Sequence, residues 1–229
     1  MPILAAETEG AQRPAAHPFV VPFGVFVAFL ALNGCLESVW PSAKLAVYPV
    51  QTLVCGYALW RFRTAYYPLL RATGLRFALA VGVFVLLVWV APQTLHLAPP
   101  RTDGLNPGLL SGSPGLYAAS LTLRFLRLVV VVPMLEEVFW RGFMLRVLIR
   151  ADFAAVPFGT FTWTSCAGVA FLFSVEHQPA DWPAGFVAGW LYNLVAYRTR
   201  NLGACVLAHA VTNLGLGIYV CATRQWGFW

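Results

Sequence analysis

Apolar stretches alternate with short polar connections along most of the chain, and their lengths set the first expectation. Seven of them, near Phe19–Leu36, Ala43–Trp60, Leu75–Leu95, Leu116–Leu135, Phe158–Phe173, Pro183–Tyr197 and Leu202–Cys221, read as helices. Crossing a bilayer takes roughly 17 to 25 residues, so the pattern predicts an all-α, polytopic integral membrane protein with about seven transmembrane helices, six to eight allowing for the ends. Residues 1–18, polar and rich in Ala and Pro, read as a disordered tail, and residues 19–229 as a single membrane domain. The longest loop is Pro99–Pro114.

Composition agrees with that reading. Of 229 residues, 59% are hydrophobic and 10% charged, against about 25% charged in an ordinary soluble domain. The net charge of +6 does not imply nucleic acid, because no basic cluster with interleaved surface aromatics exists. Arginines instead mark alternate connections: Arg13, then Arg61, Arg63, Arg71 and Arg76, then Arg146 and Arg150, then Arg198 and Arg200. By the positive-inside rule the N-terminus is expected in the cytoplasm and the C-terminus outside. Arg124 and Arg127 fall within the fourth apolar run instead, and Arg141 in its continuation. The five cysteines are isolated in apolar segments with no metal-binding spacing, and read as packing residues.

A few polar residues interrupt the apolar runs. A charge at mid-bilayer costs roughly 2.5 to 3.5 kcal/mol on insertion scales, so such residues face the bundle interior and mark function. In PMLEEVFWRGF (133–143), Glu137 and Arg141 stand four apart on one helical face, where they can pair. Glu136 is rotated about 100° from Glu137 and is left unpaired. Downstream, His177 ends the fifth segment, and His209 and Asn213 share one face of the seventh. The fourth and fifth segments form a hairpin turning near Asp152–Pro157, from which Glu136 and His177 each lie about 30 Å away at ~1.5 Å per residue. Segments 4, 5 and 7 are therefore expected to bring Glu136, His177, His209 and Asn213 into one layer.

A carboxylate and an imidazole can deprotonate water, and a histidine or asparagine N–H can stabilise the resulting oxyanion. Neither a Gly-x-Ser-x-Gly elbow nor a His-Glu-x-x-His helix is present. Cys205 and His209, four apart, offer a weaker thiol and base pairing. A proton-coupled transporter would use similar residues, but the chain has no second half repeating the first. Gly185 and Gly189 form a small-xxx-small pattern that fits close helix packing or dimerisation equally.

The blocks Glu136-Glu137-Val-Phe-Trp-Arg141, Phe173-Ser-Val-Glu-His177 and His209-Ala-Val-Thr-Asn213 resemble the EExxxR, FxxxH and HxxxN motifs of the CAAX prenyl endopeptidase and bacteriocin-processing family. Residues 116–221 resemble its catalytic core; the size and Arg/Trp richness of the chain resemble the branch associated with exosortase systems. The resemblance implies an intramembrane endopeptidase of a bacterial cytoplasmic membrane, acting on a membrane-embedded or lipidated peptide. Glu136 and His177 would activate water, His209 and Asn213 would hold the oxyanion, and Glu137 with Arg141 would fix the helix. No cofactor is expected; the metal-dependent alternative is a zinc ion on Glu136, His177 and His209. A second alternative is a non-catalytic scaffold or immunity protein of the same fold.

Overall fold

The computed structural model describes residues 15–37, 39–40, 43–71 and 73–229. Among these residues there are helices and no strands. The long helices are α1 (His17–Glu37), α2 (Lys44–Tyr66), α3 (Leu75–Thr94), α4 (Pro114–Val147), α5 (Trp163–Val175), α6 (Trp182–Thr199) and α7 (Leu202–Thr223). These are the seven expected, and the protein has the architecture of a polytopic membrane protein. Four helices, at His17–Leu36, Leu75–Thr94, Pro114–Val147 and Leu202–Thr223, are long and apolar enough to cross a membrane by themselves. The expected tail at 1–18 lies mostly outside the described residues, except that His17 and Pro18 already form the first turn of α1.

Two boundaries differ from expectation for identifiable reasons. The fourth helix does not stop at Leu135 but runs on to Val147, 34 residues in all. Its charged side chains are turned into the bundle, where Glu137 and Arg141 pair with each other. At ~1.5 Å per residue it is about 50 Å long, well beyond the ~30 Å hydrocarbon layer. The fifth starts at Trp163 rather than Phe158, because Gly159 takes a left-handed backbone (φ 79°) where the chain passes α6. A Cβ on Gly159 would lie 2.6 Å from the Ala196 carbonyl oxygen. Thr162 then caps α5, its hydroxyl accepting from the Ser165 N–H at 3.2 Å. The resulting helix has 13 residues, about 20 Å, too short to cross a bilayer alone.

The bundle is held by close backbone approaches. α3 packs along α7, α5 against α6, and α1 against α2. At the α3–α7 crossing a Cβ on Gly82 would meet the Ala208 carbonyl at 2.4 Å, and the Thr212 hydroxyl donates to the Gly82 carbonyl at 2.8 Å. At the α5–α6 crossing a Cβ on Gly189 would lie 2.9 Å from Ala170 Cα, and one on Gly185 3.1 Å from Ser174 Cα. The small-xxx-small pair is thus occupied by packing within the chain.

α4 carries two π-helical turns, Arg127–Val131 and Trp140–Met144, on either side of the stretch that holds both glutamates. Pro133 accounts for the first. Its ring would crowd a carbonyl one turn back and it has no N–H to donate, so the preceding turn widens and Val132 N–H reaches back to the Arg127 carbonyl. In that register the Leu128 carbonyl faces the nitrogen of Pro133 and needs a partner from elsewhere.

Candidate active site

A cavity of about 600 Å³ opens among α1, α2, α3, α4, α6, α7 and the α5–α6 turn, and its walls include Glu136, Glu176, His177, His209 and Asn213. The four polar residues singled out from the sequence therefore meet at one space. Glu136 is on that wall and Glu137, adjacent in sequence, is not, and their surroundings differ.

Glu137 is fully enclosed and bonded through one oxygen, its Oε2 being buried without a partner. Its Oε1 accepts from Arg141 Nη1 at 2.9 Å and is 2.9 Å from His209 Nδ1. Arg141 has the remainder of its fork occupied as well, with Nε donating to Asn193 Oδ1 at 3.2 Å and Nη2 to the Gly189 carbonyl at 3.1 Å. Asn193 in turn donates to the Cys166 carbonyl at 3.0 Å. This network ties α4 to α5, α6 and α7, and the close approach allowed by Gly189 brings its carbonyl within reach of Arg141. The helical spacing anticipated the Glu137–Arg141 pair, but not that Glu137 would also hold His209.

Glu136 makes no hydrogen bond among the described residues, and its Oε2 is buried without a partner. The nearest group is His209 Nε2, 3.9 Å from Oε2, beyond hydrogen-bond distance. His209 thus lies between two carboxylates, bonded to one and facing the other. Its ring is fixed by stacking on Tyr192, 5.1 Å between centroids and 25° between planes, with Phe173 edge-on at 6.0 Å. Tyr192 is anchored through its hydroxyl to Thr212 Oγ1 at 2.7 Å.

His177 stands just past the end of α5. Its Nδ1 is 2.8 Å from the Phe173 carbonyl. A carbonyl only accepts, so Nδ1 carries the proton and the Nε2 lone pair is left uncommitted. Trp89 of α3 packs edge-on to the ring at 5.1 Å, a contact from the first half of the chain that no motif signals. The turn itself is closed by the Trp182 indole N–H on the His177 carbonyl (3.0 Å) and the Ser174 hydroxyl on the Trp182 carbonyl (2.6 Å). Beside it, Glu176 accepts from the Trp140 indole at 2.9 Å while its Oε1 is buried without a partner.

Asn213 satisfies the acceptor that Pro133 leaves over, its Nδ2 donating to the Leu128 carbonyl at 2.9 Å. One of its two amide N–H groups is therefore committed to holding α7 against α4. The Cys205 sulfur faces backbone oxygens instead, Asn201 O at 3.5 Å and Tyr192 O at 4.0 Å, and the residue is fully buried. It has no contact with His209 of the kind a thiol and base would need.

Residues 118–215 match the Rce1-like type II CAAX prenyl endopeptidase family. Every site residue described above except Trp89 falls in this Rce1-like region. That family is one of endopeptidases. Neither a curated protein nor a solved structure matches the chain. The metal-dependent alternative raised by the sequence is zinc on Glu136, His177 and His209. Glu136, His177 and His209 are chemically suitable donors, but among the described residues no three His, Cys, Asp or Glu side chains converge on a common point.

Proposed function

We propose that the protein is an intramembrane endopeptidase that hydrolyses a peptide bond of a membrane-embedded or lipidated substrate with water as nucleophile. The observation that carries this reading is the unpaired Glu136 carboxylate on the cavity wall it shares with His177. A buried carboxylate without a partner is costly, and such groups are retained where they do chemistry.

In this mechanism a water molecule sits between Glu136 and His177 Nε2. Glu136 takes one of its protons as the oxygen attacks the scissile carbonyl carbon. The carbonyl π electrons move to oxygen, giving a tetrahedral oxyanion that receives hydrogen bonds from His209 Nε2–H and the second N–H of Asn213. In this mechanism His209 donates there as the imidazolium, with Nδ1–H bonded to Glu137, which fixes the ring, and Nε2–H turned toward Glu136. As the oxyanion collapses the C–N bond breaks and Glu136 returns its proton to the leaving amine. The products are a carboxylic acid and an amine.

The arginine pattern supports a cytoplasmic N-terminus and an external C-terminus. The mechanism is tested by incubating purified protein with a library of membrane-associated peptides and identifying products by mass spectrometry. Cleavage by the wild type, lost on Glu136→Gln and His177→Ala, supports it; turnover surviving both substitutions excludes it. A strong chelator separates the metal version, since full activity after metal stripping is expected here and loss of activity would require zinc.

A further inference from the structure

Arg124 and Arg127, one turn apart on α4, line the same cavity as Glu136. They are 5% and 8% exposed. Both guanidinium groups lie against the Tyr48 ring of α2, at 4.4 and 4.5 Å from its centroid. Arg124 also faces Trp229 at 5.2 Å, and Arg127 faces Phe26 at 5.6 Å. Stacking holds the planes of the groups and leaves their N–H edges unsatisfied: Arg124 Nε and Nη1 and Arg127 Nε have no hydrogen-bond partner. Among the described residues no carboxylate forms an ion pair with either arginine, although Glu136 and Asp103 line the same cavity.

Two like charges buried together with no anion in contact are unfavourable, because each has lost hydration and faces a repulsive neighbour, offset for Arg127 by the more distant charge of Glu136. Arginine forks pre-set by aromatic faces are suited to a planar, two-oxygen anion. We propose that Arg124 and Arg127 form a carboxylate subsite for the peptide substrate. This rests on the proteolytic reading above and adds to it a requirement on the substrate. Arg127 is nine and Arg124 twelve residues before Glu136 on one continuous helix, about 13 and 18 Å along its axis. An extended peptide covers ~3.3 to 3.5 Å per residue. The recognised carboxylate therefore lies roughly four to five residues from the scissile bond, as either the chain terminus or an acidic side chain.

The test uses binding, so that it stands apart from turnover. A short apolar peptide, palmitoylated and fluorescent at its N-terminus, is titrated onto the full-length Glu136→Gln protein in nanodiscs, as the free acid and as the C-terminal amide. The free acid is expected to bind about tenfold more tightly or better, and the preference is expected to disappear in Glu136→Gln proteins that also carry Arg124→Gln or Arg127→Gln. An amide peptide with one internal glutamate that regains the affinity identifies a side-chain carboxylate as the recognised group; one that does not identifies the terminus. Equal affinity for acid and amide, or a preference that survives both arginine substitutions, overturns the subsite. Because arginine loss can weaken the fold, the acid-versus-amide comparison on the otherwise unchanged Glu136→Gln protein decides independently of those variants. Wild-type protein that binds the free acid but never cleaves it would remove the proteolytic reading and leave the subsite standing.

Discussion

Arg141 and the Arg124–Arg127 pair lie on the same helix and are comparably buried, but their surroundings differ in kind. Around Arg141 each nitrogen has an acceptor, contributed by α4 itself and by α6. Around Arg124 and Arg127 the donors end without acceptors in a cavity, as the carboxylate of Glu136 does. Glu137 and Glu136, at adjacent positions, differ in the same sense: Oε1 of Glu137 has two partners, although its Oε2 has none, and Glu136 has no hydrogen bond at all. Charges with complete partners fasten helices together, whereas charges left incomplete beside open space wait for a ligand. Removing a group from the first region should therefore cost stability, and removing one from the second should cost binding or turnover.

The largest stability effect is expected from Arg141→Ala, which strands Glu137 in the bundle without its cation. Loss of one partner of a buried pair costs about 3 to 5 kcal/mol, measurable by denaturant unfolding in detergent; a loss as small as that of an exposed arginine would break the comparison. Next comes Asn213→Ala, which leaves the Leu128 carbonyl unsatisfied at about 1 to 3 kcal/mol. Asn213→Asp should not restore it, since a carboxylate has no N–H, and recovery by Asp would show that the Leu128 bond is not what Asn213 supplies. Gly189→Ala should cost a similar 1 to 3 kcal/mol by overpacking, because the new methyl meets the α5 backbone. The smallest change is expected from Tyr192→Phe, about 1 kcal/mol for the lost hydrogen bond to Thr212. A modest fall in turnover should accompany it as His209 loses part of its support.

Much of this organisation is legible in the amino-acid sequence, and what is not has a common cause. Hydropathy locates all seven helices, and the rarity of charge within them picks out Glu136, His177, His209 and Asn213. Helical spacing pairs Glu137 with Arg141. Spacing along one helix carries no information about a neighbour's side chains, so the bond between Glu137 and His209 is not visible from it. Nor are the Tyr192 stack on His209, or the packing of Trp89 on His177. The π turns escape for a different reason, since an unbroken apolar run does not reveal the change in register; Pro133 is the one local sign of it. The arginines at 124 and 127 stand out as misplaced charges, but the Tyr48, Phe26 and Trp229 rings that hold them come from distant parts of the chain.

The central claim is that the unpaired Glu136, and not the bonded Glu137 beside it, supplies the base. It is tested most directly by comparing product release from one cleaved peptide by the wild type and by Glu136→Gln, with unfolding measured on both. A fall in kcat of about 10² to 10⁴ is expected, with stability unchanged or increased, because the substitution removes a buried charge that has no partner. Wild-type kcat in Glu136→Gln, or a loss of activity that only follows a loss of folded protein, would contradict it.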